Sequence, residues 1–430
     1  MHMESPGLIR FISRFYARVW HRVHVVGEPV PTQGPVIVVA NHTAGIMDGA
    51  LVYGWAPRPL RTLIKYSILR IPGLATLARL GGSIAVYRKK DNISADRNNN
   101  EAFSSVREAL LGGEALLMFP EGESKSAWKL RTPLRTGTAR MAFNAENAKD
   151  WKLGLRIVPV GIHYTDRDLY RSRVDIRVGK SFTIESYREL HEEDTRAAVT
   201  QLMERISESL GDLVLQSADE SDEPVLQLAR RCLHSRDGSH HHKLQALARG
   251  LDRERTGDPA AHAALLERTH SLSERLLEHG VDPIFGQTAQ PPSERTGSPL
   301  TVLPCLLSRL FWGLPARLCT LLVSRALPKD KIVSGTILLT LPVGILWNAL
   351  LVALAWTQWT PIGGIGLGLL SLIALVSSGA AADSRNAYRG RRNAYNGGLA
   401  DSPRTLPITR EFHLFHSELD RLARLGKDGD

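Results

Sequence analysis

Cysteine is scarce in this sequence. The 430 residues contain three cysteines, an odd number, and they lie far apart at Cys232, Cys305 and Cys319. They offer neither a disulfide framework nor the paired spacing of a zinc site. The histidines at 234 and 240–242 also lack a spacing that converges on one metal, and they suit a polar loop. We therefore predict no metal or other cofactor, and we expect a reducing compartment.

The signatures of nucleic-acid binding and of serine hydrolases are missing too. The net charge of +10 suits an anionic partner. However, the chain has no zinc-finger spacing, no RNA-binding aromatic motif and no long basic arm. We therefore expect membrane lipids as the anionic partner, and no nucleic acid. The Gly-x-Ser-x-Gly turn of lipases is absent, which argues against an acyl-enzyme on serine.

The first residues lack the apolar core and cleavage site of a signal peptide. Instead, residues 6–22 repeat apolar side chains at helical spacing, with arginines on the other side and the flank. The apolar face consists of Leu8, Phe11, Ile12, Phe15 and Val19. We predict that residues 1–26 form an amphipathic helix in the membrane interface. The alternative is an ordinary amphipathic helix packed on the core of the domain.

Short apolar runs alternate with helical patterns through residues 27–215, and this order predicts an α/β domain. The expected strands cover residues 35–40, 60–64, 83–87, 114–119, 156–164 and 174–178. The expected helices cover residues 48–55, 94–111, 136–148 and 188–213. We therefore predict a central mixed sheet covered by helices.

The composition changes twice after this domain. Residues 216–299 are polar, with linker-like ends and helical patterns that point to no particular function. Residues 300–385 are strongly apolar, with uncharged runs at 332–356 and 362–380. At about 1.5 Å per residue, each run can cross a hydrocarbon core of about 30 Å. We therefore predict two transmembrane helices. Basic residues at both outer ends predict that residues 27–215 and the 386–430 tail lie on the cytoplasmic face. A buried helical hairpin is the alternative.

A histidine and an aspartate follow the first strong strand. His42 stands at the end of the strand and Asp48 at the start of the next helix, in the run NHTAGIMD. A carboxylate that accepts an imidazole N–H fixes the tautomer of the ring and raises the basicity of its other nitrogen. Such a pair takes a proton from an alcohol that attacks an acyl thioester. Histidine and aspartate also occur this close together in purely structural roles.

A polar turn follows the predicted strand 114–119, in the run FPEGESKS. Gly122 allows positive φ and the close approach of a ligand. Glu121 is a candidate for binding a glycerol hydroxyl, and Ser124 and Lys125 are candidates for binding phosphate. The alternative is an ordinary turn.

Two further segments add to this pattern. Arg88 follows the predicted strand 83–87 and presents a guanidinium fork that matches the geometry of phosphate, although an arginine in this position by itself is more often a solvated charge. The apolar stretch 157–162 contains Pro159 and is suited to lining an acyl groove or to packing alone.

Together these segments resemble the glycerolipid acyltransferase superfamily, which includes glycerol-3-phosphate and lysophosphatidate acyltransferases, over roughly residues 20–215. The matching motifs are, in chain order, His42 with Asp48, residues 83–88, residues 119–122 and residues 158–160. Five residues separate the histidine from the aspartate, where four is the commonest spacing in the family. Five also occurs in a yeast-type branch acting on glycerol 3-phosphate and dihydroxyacetone phosphate, which residues 133–142 resemble. Ser124-Lys125 replaces the Thr-Arg or Ser-His of many members.

The resemblance implies direct acyl transfer without an acyl-enzyme. His42 would be the general base, oriented by Asp48, acting on a hydroxyl of glycerol 3-phosphate or lysophosphatidate. Acyl-CoA or an acyl carrier protein would be the co-substrate. The acceptor would be bound by Arg88, Glu121, Gly122, Ser124 and Lys125. The alternatives are an acyltransferase for another lysophospholipid or an amino-lipid, and a non-catalytic lipid-binding membrane protein of the same fold.

Overall fold

The structure is a computed structural model of the chain. It describes residues 6–70, 74–87, 95–124, 130–165, 172–232, 240–278, 299–326, 332–358, 365–371, 373 and 406–427. The chain divides into two compact units. The first contains Met1–Arg167 and Ser172–Val214, and the second contains Asp168–Arg171 and Leu215–Asp430.

The first unit is built on a mixed sheet, which within the described residues has eight strands. They are β1 (His21–Gly27), β2 (Val36–Ala40), β3 (Leu60–Lys65), β4 (Ile84–Val86), β5 (Ala115–Met118), β6 (Arg156–Tyr164), β7 (Ser172–Val178) and β8 (Phe182–Thr183). The strands lie in the order β1-β7-β6-β2-β5-β3-β4, and β8 pairs with β6. Strand β2 runs parallel to both β5 and β6, while β7 and β8 run antiparallel to β6. The predicted mixed sheet is confirmed.

Strands β2 and β5 lie inside the sheet because they are apolar on both faces. Every residue of both strands is buried. Val39 of β2 pairs with Met118 of β5 and with Pro159 of β6. Since β2 and β5 run in the same direction and in register, their carboxyl ends meet at one edge of the sheet. The polar residues that follow each strand are therefore brought together.

Seven helices of the described residues belong to this unit. They are α1 (Pro6–Trp20), α2 (Ile46–Trp55), α3 (Leu74–Leu80), α4 (Ala95–Leu111), α5 (Gly137–Asn147), α6 (Arg188–Glu193) and α7 (Thr195–Gly211). Helices α4, α5 and α7 bury a common core with Ile37, Leu116 and Ile157 of the central strands. Helix α1 packs on α2 and β1, so it is part of the same unit.

Two details of the first unit differ from the sequence prediction. The helix expected over 188–213 is interrupted at Asp194, which is extended (φ −141°, ψ 93°). Its carboxylate accepts the backbone N–H groups of Arg196 and Ala197 and so caps α7. Strand β1 was not expected, because its apolar side chains Val25 and Val26 are exposed while its histidine at 21 is buried.

The second unit is helical in its described residues. Its helices are α8 (Glu223–Cys232), α9 (His240–Gly257), α10 (Pro259–Glu278), α11 (Pro299–Ala326), α12 (Ile332–Gln358) and α13 (Leu406–Leu425). Helices α9 and α13 approach closely at Gly250, where a Cβ atom would lie 2.0 Å from the carbonyl oxygen of Leu422. Arg421 of α13 also pairs with Glu254 of α9. The pattern of polar helices expected after residue 216 is therefore seen as a packed bundle.

The predicted membrane region, residues 300–385, requires a correction. Within the described part of the chain, no helix combines the length and the apolar character needed to cross a bilayer. The transmembrane helix predicted at 332–356 from length, lack of charge and basic flanks is therefore wrong. Pro342 and Asn348 interrupt its apolar run, and the side chain of Asn348 donates to the carbonyl of Gly344. Most of the second predicted span, 362–380, lies outside the described residues.

Candidate active site

The loop after β2 brings His42 and Asp48 together. The chain turns at Gly45 (φ 62°, ψ −125°), a conformation that favours glycine, and α2 begins at the next residue. The turn places Nδ1 of His42 3.0 Å from Oδ2 of Asp48. The aspartate side chain is fully buried, whereas 16% of the histidine side chain is exposed. Five intervening residues therefore allow the contact that the sequence motif predicts.

Both oxygens of Asp48 have hydrogen-bond donors. Oδ2 accepts the backbone N–H of Ala44 at 2.7 Å in addition to the imidazole contact. Oδ1 accepts the hydroxyl of Tyr164, the last residue of β6, at 2.7 Å. Hydrogen bonds of this kind favour the ionised form of a carboxylate. Donors on both oxygens therefore offset the cost of burying a negatively charged side chain at this position.

The orientation of the imidazole follows from these contacts. Because Nδ1 faces the carboxylate, Asp48 favours the tautomer with a proton on Nδ1, which leaves the lone pair on Nε2. The ring stacks on Phe119, with centroids 4.2 Å apart and planes 19° apart. The aromatic face and the carboxylate together hold His42 in one orientation, with Nε2 turned away from Asp48.

Glu121 supports the main chain of the histidine. It is buried, with 4% of its surface exposed. Oε1 accepts the backbone N–H of His42 at 2.6 Å, and Oε2 accepts that of Arg131 at 3.4 Å. Burial raises the pKa of Glu121, while the two backbone hydrogen bonds act in the opposite direction. The sequence proposed this side chain as a ligand of glycerol, and it did not predict the contact with His42.

Ser124 joins the two loops at a second point. Its Oγ accepts the backbone N–H of Gly45 at 2.9 Å. Gly122 has φ 72°, and a Cβ atom there would lie 3.0 Å from Cγ of Arg135. The Pro-Glu-Gly turn is therefore closely packed by its own loop, and it contacts the histidine loop directly.

The other predicted binding residues are placed as follows. Arg88 and Lys125 lie outside the described residues. The proline-bearing segment 158–160 lies within β6, and Val158 and Val160 are each 1% exposed. The structure thus brings His42, Asp48, Glu121, Gly122 and Ser124 to one edge of the sheet.

Asn41 is a further residue of this edge that the sequence prediction missed. Its side-chain NH₂ donates to the carbonyl of Ile162 at 3.0 Å, and its Oδ1 accepts the N–H of the same residue at 2.7 Å. This double contact fixes the end of β2 against β6, directly before His42. A polar side chain that continues a wholly apolar strand was the available sequence signal.

The region that contains this site is similar in sequence to known proteins. Residues 22–163 match the family described as Acyltransferase. A stretch of 135 residues is 33% identical to glycerol-3-phosphate O-acyltransferase 2 of Saccharomyces cerevisiae, covering 31% of this chain and 18% of the yeast protein. A stretch of 141 residues is 27% identical to an uncharacterized acyltransferase of Schizosaccharomyces pombe, covering 32% of this chain and 21% of that protein. The chain thus spans about a fifth of the length of these relatives.

The chain is also similar to the crystal structure of the 1-acyl-sn-glycerophosphate acyltransferase PlsC from Thermotoga maritima, with 21% sequence identity. The superposition covers 47% of this chain and 79% of that chain, with a TM-score of 0.35.

Proposed function

We propose that the chain is an O-acyltransferase of glycerolipid synthesis, because residues 22–163 match the family described as Acyltransferase and part of the chain is similar to a yeast glycerol-3-phosphate O-acyltransferase. The donor is acyl-CoA or an acylated acyl carrier protein. The acceptor is a hydroxyl of glycerol 3-phosphate or lysophosphatidate. The observation that carries the proposal is the 3.0 Å contact between His42 and Asp48 inside the matched region.

His42 acts as the general base of a direct transfer. The acceptor hydroxyl gives its proton to Nε2 while its oxygen forms a bond to the thioester carbon. The carbon–sulfur bond then breaks, and the thiolate takes the proton back from the imidazolium. Proton transfer by a positioned side chain is worth about 10²–10⁴ in rate. Asp48 stabilises the imidazolium through the Nδ1 contact.

The acceptor binds at the Pro-Glu-Gly turn. Ser124 accepts an N–H from Gly45, and a hydroxyl with that partner still has its own proton to donate to a phosphate oxygen. Gly122 and Glu121 belong to the same turn. Arg88 and Lys125 supply positive charge, which suits a phosphate that is doubly charged near neutral pH.

We place the reaction at the cytoplasmic surface of a membrane, where the lipid acceptor resides. Helix α1 supports this location, because Leu8 and Phe11 are 53% and 67% exposed. The guanidinium groups of Arg14 and Arg18 lie 5.5 Å and 5.7 Å from the ring of Trp55. An exposed apolar pair next to arginines suits an anionic lipid interface.

Two rival functions have different signatures. An acyltransferase acting on another lysophospholipid would use the same base on an acceptor whose phosphate is a singly charged diester. One acting on an amino-lipid would use the same base but would not need a phosphate-binding Arg88. A non-catalytic lipid-binding protein would bind lipid without turnover. The buried and compensated Asp48 beside a partly exposed imidazole favours catalysis over binding alone.

The test is an acceptor screen with the purified full chain and isotope-labelled acyl-CoA, with the products identified by mass spectrometry. We expect labelled lysophosphatidate or phosphatidate, formed faster on anionic than on neutral vesicles. Arg88→Ala should raise the apparent KM for the phosphorylated acceptor about 10-fold or more, since a charge-assisted contact is lost. An unchanged KM would move the phosphate site elsewhere. Labelling of an uncharged acceptor alone would exclude glycerol phosphates.

A further inference from the structure

Tyr164 is the polar side chain of β6 that reaches the proposed active site. It is the last residue of the strand and is 6% exposed. Its hydroxyl donates to Oδ1 of Asp48 at 2.7 Å, and the aspartate itself is fully buried. The contact joins two residues that are 116 positions apart in the chain. Tyr164 lies outside the four motifs that carry the family resemblance, and the sequence pattern predicts no role for it.

The phenol supplements the contacts that Asp48 receives from its own loop. Oδ2 accepts from His42 and from the backbone of Ala44, whereas Oδ1 accepts from the hydroxyl of Tyr164. A carboxylate held at only one oxygen is free to rotate about χ2, which is a soft torsion for aspartate. A donor on the second oxygen removes that freedom and sets the plane in which the imidazole N–H must lie.

The position of the phenol is itself well fixed. Asn41 holds Ile162 through two hydrogen bonds, two residues before Tyr164 on the same strand. The ring of His21 lies edge-on to the tyrosine ring, with centroids 5.3 Å apart and planes 69° apart. His21 is held in turn by Ser172, with Nδ1 and Oγ 3.2 Å apart. The hydroxyl therefore approaches Asp48 from a strand end that is held by Asn41 after β2 and by the contact with His21 of β1.

We propose that Tyr164 is a positioning residue for acyl transfer, which orients Asp48 and through it the base His42. The inference rests on the proposed function. In this arrangement Tyr164 of β6 holds Asp48 of α2, and Asp48 holds His42 of the loop after β2. The tyrosine does not exchange a proton with the substrate; its hydroxyl keeps its proton and donates one hydrogen bond throughout.

The decisive variant is Tyr164→Phe, with Tyr53→Phe as the matched control. Tyr53 is also a buried tyrosine, 4% exposed on α2, but among the described residues its hydroxyl has no hydrogen-bond partner. We expect Tyr164→Phe to lower kcat about 10- to 100-fold, as expected for a hydrogen bond to a charged group. The KM for both substrates should stay within about two-fold, as expected when an interaction made only in the transition state is lost. Tyr53→Phe should match the wild type.

A double-mutant cycle with Asp48→Asn separates positioning from a general structural effect. If Tyr164 acts through Asp48, adding Tyr164→Phe to Asp48→Asn should change kcat by less than about three-fold. Full activity of Tyr164→Phe, or equal losses in the two phenylalanine variants, would overturn the inference while leaving the proposed function intact. A wild type that transfers no acyl group to any acceptor would overturn both.

Discussion

Each compact unit of the chain contains a buried aspartate in contact with a histidine, and the two pairs differ in instructive ways. In the first unit, Asp48 binds Nδ1 of His42 at 3.0 Å. In the second unit, Asp222 binds Nε2 of His262 at 2.6 Å. The side chain of His42 is 16% exposed, whereas that of His262 is 7% exposed.

The surroundings of the two pairs explain this difference. His42 stands on a loop at the carboxyl ends of parallel strands, where α/β proteins place ligands. His262 lies on α10, and its aspartate also faces the hydroxyl of Ser217 at 3.4 Å. The second pair therefore satisfies buried polar groups between helical segments. A histidine–aspartate contact becomes a candidate base only where the second nitrogen faces a site that a substrate can reach.

The largest expected effect concerns the two histidines. His42→Ala should lower kcat about 10²–10⁴-fold, the contribution of a positioned general base. His262→Ala should leave kcat near the wild-type value, because the second pair has no role in transfer. Steady-state kinetics with labelled acyl-CoA measures both variants, and circular dichroism checks that each is folded. Equal losses of activity would remove the distinction between the pairs.

An intermediate effect is expected on stability. Asp222→Asn should lower the free energy of unfolding by about 1–3 kcal/mol, since it weakens a buried hydrogen bond to histidine. Its kcat, measured well below the new melting temperature, should be unchanged. Urea unfolding followed by circular dichroism provides the comparison with the wild type. A loss of kcat without a loss of stability would assign chemistry to the second unit.

A smaller effect is expected for Glu121→Gln. The amide keeps only one acceptor oxygen for the two backbone N–H groups, so kcat should fall about 10-fold through displacement of His42. The KM for the acceptor should be nearly unchanged. A rise in KM with constant kcat would instead support binding of a glycerol hydroxyl by this side chain.

The stability of Glu121→Gln should also depend on pH differently from that of the wild type. Burial raises the pKa of Glu121 in the folded protein, so the folded state binds its proton more readily than the unfolded state. The stability contributed by this group is therefore present at low pH and is lost as the pH rises through the raised pKa. As the pH rises through the raised pKa, the free energy of unfolding of the wild type should fall relative to that of Glu121→Gln. Thermal unfolding of both proteins across the acidic range measures the difference, and parallel curves would contradict it.

The sequence predicted the sheet and the contact between His42 and Asp48 well because both depend on local patterns. Runs such as 36–40 are apolar at every position, and such a run can only be a buried strand or a buried helix segment. The motif around His42 also closes on itself within seven residues. These features need no knowledge of distant contacts.

The sequence failed where long-range contacts decide. Tyr164 and Asn41 reach their partners across more than 110 residues, and no local pattern reveals a sheet register of that range. Strand β1 has exposed valines and a buried histidine, so its side-chain pattern is the reverse of the usual one. The transmembrane prediction failed for another reason: it judged the run at 332–356 by its length, its lack of charge and its basic flanks, and gave no weight to Pro342 and Asn348 inside it.

A single-turnover reaction tests the central claim most directly. The full chain is mixed with a stoichiometric amount of labelled acyl-CoA and excess glycerol 3-phosphate, and intact-mass spectra are recorded for both protein and lipid. Direct transfer by His42 predicts labelled lysophosphatidate, an unmodified protein mass at every time point, and product formation about 10²–10⁴-fold slower with folded His42→Ala. Acyl label on the protein, or product formed by His42→Ala at the wild-type rate, would contradict the account.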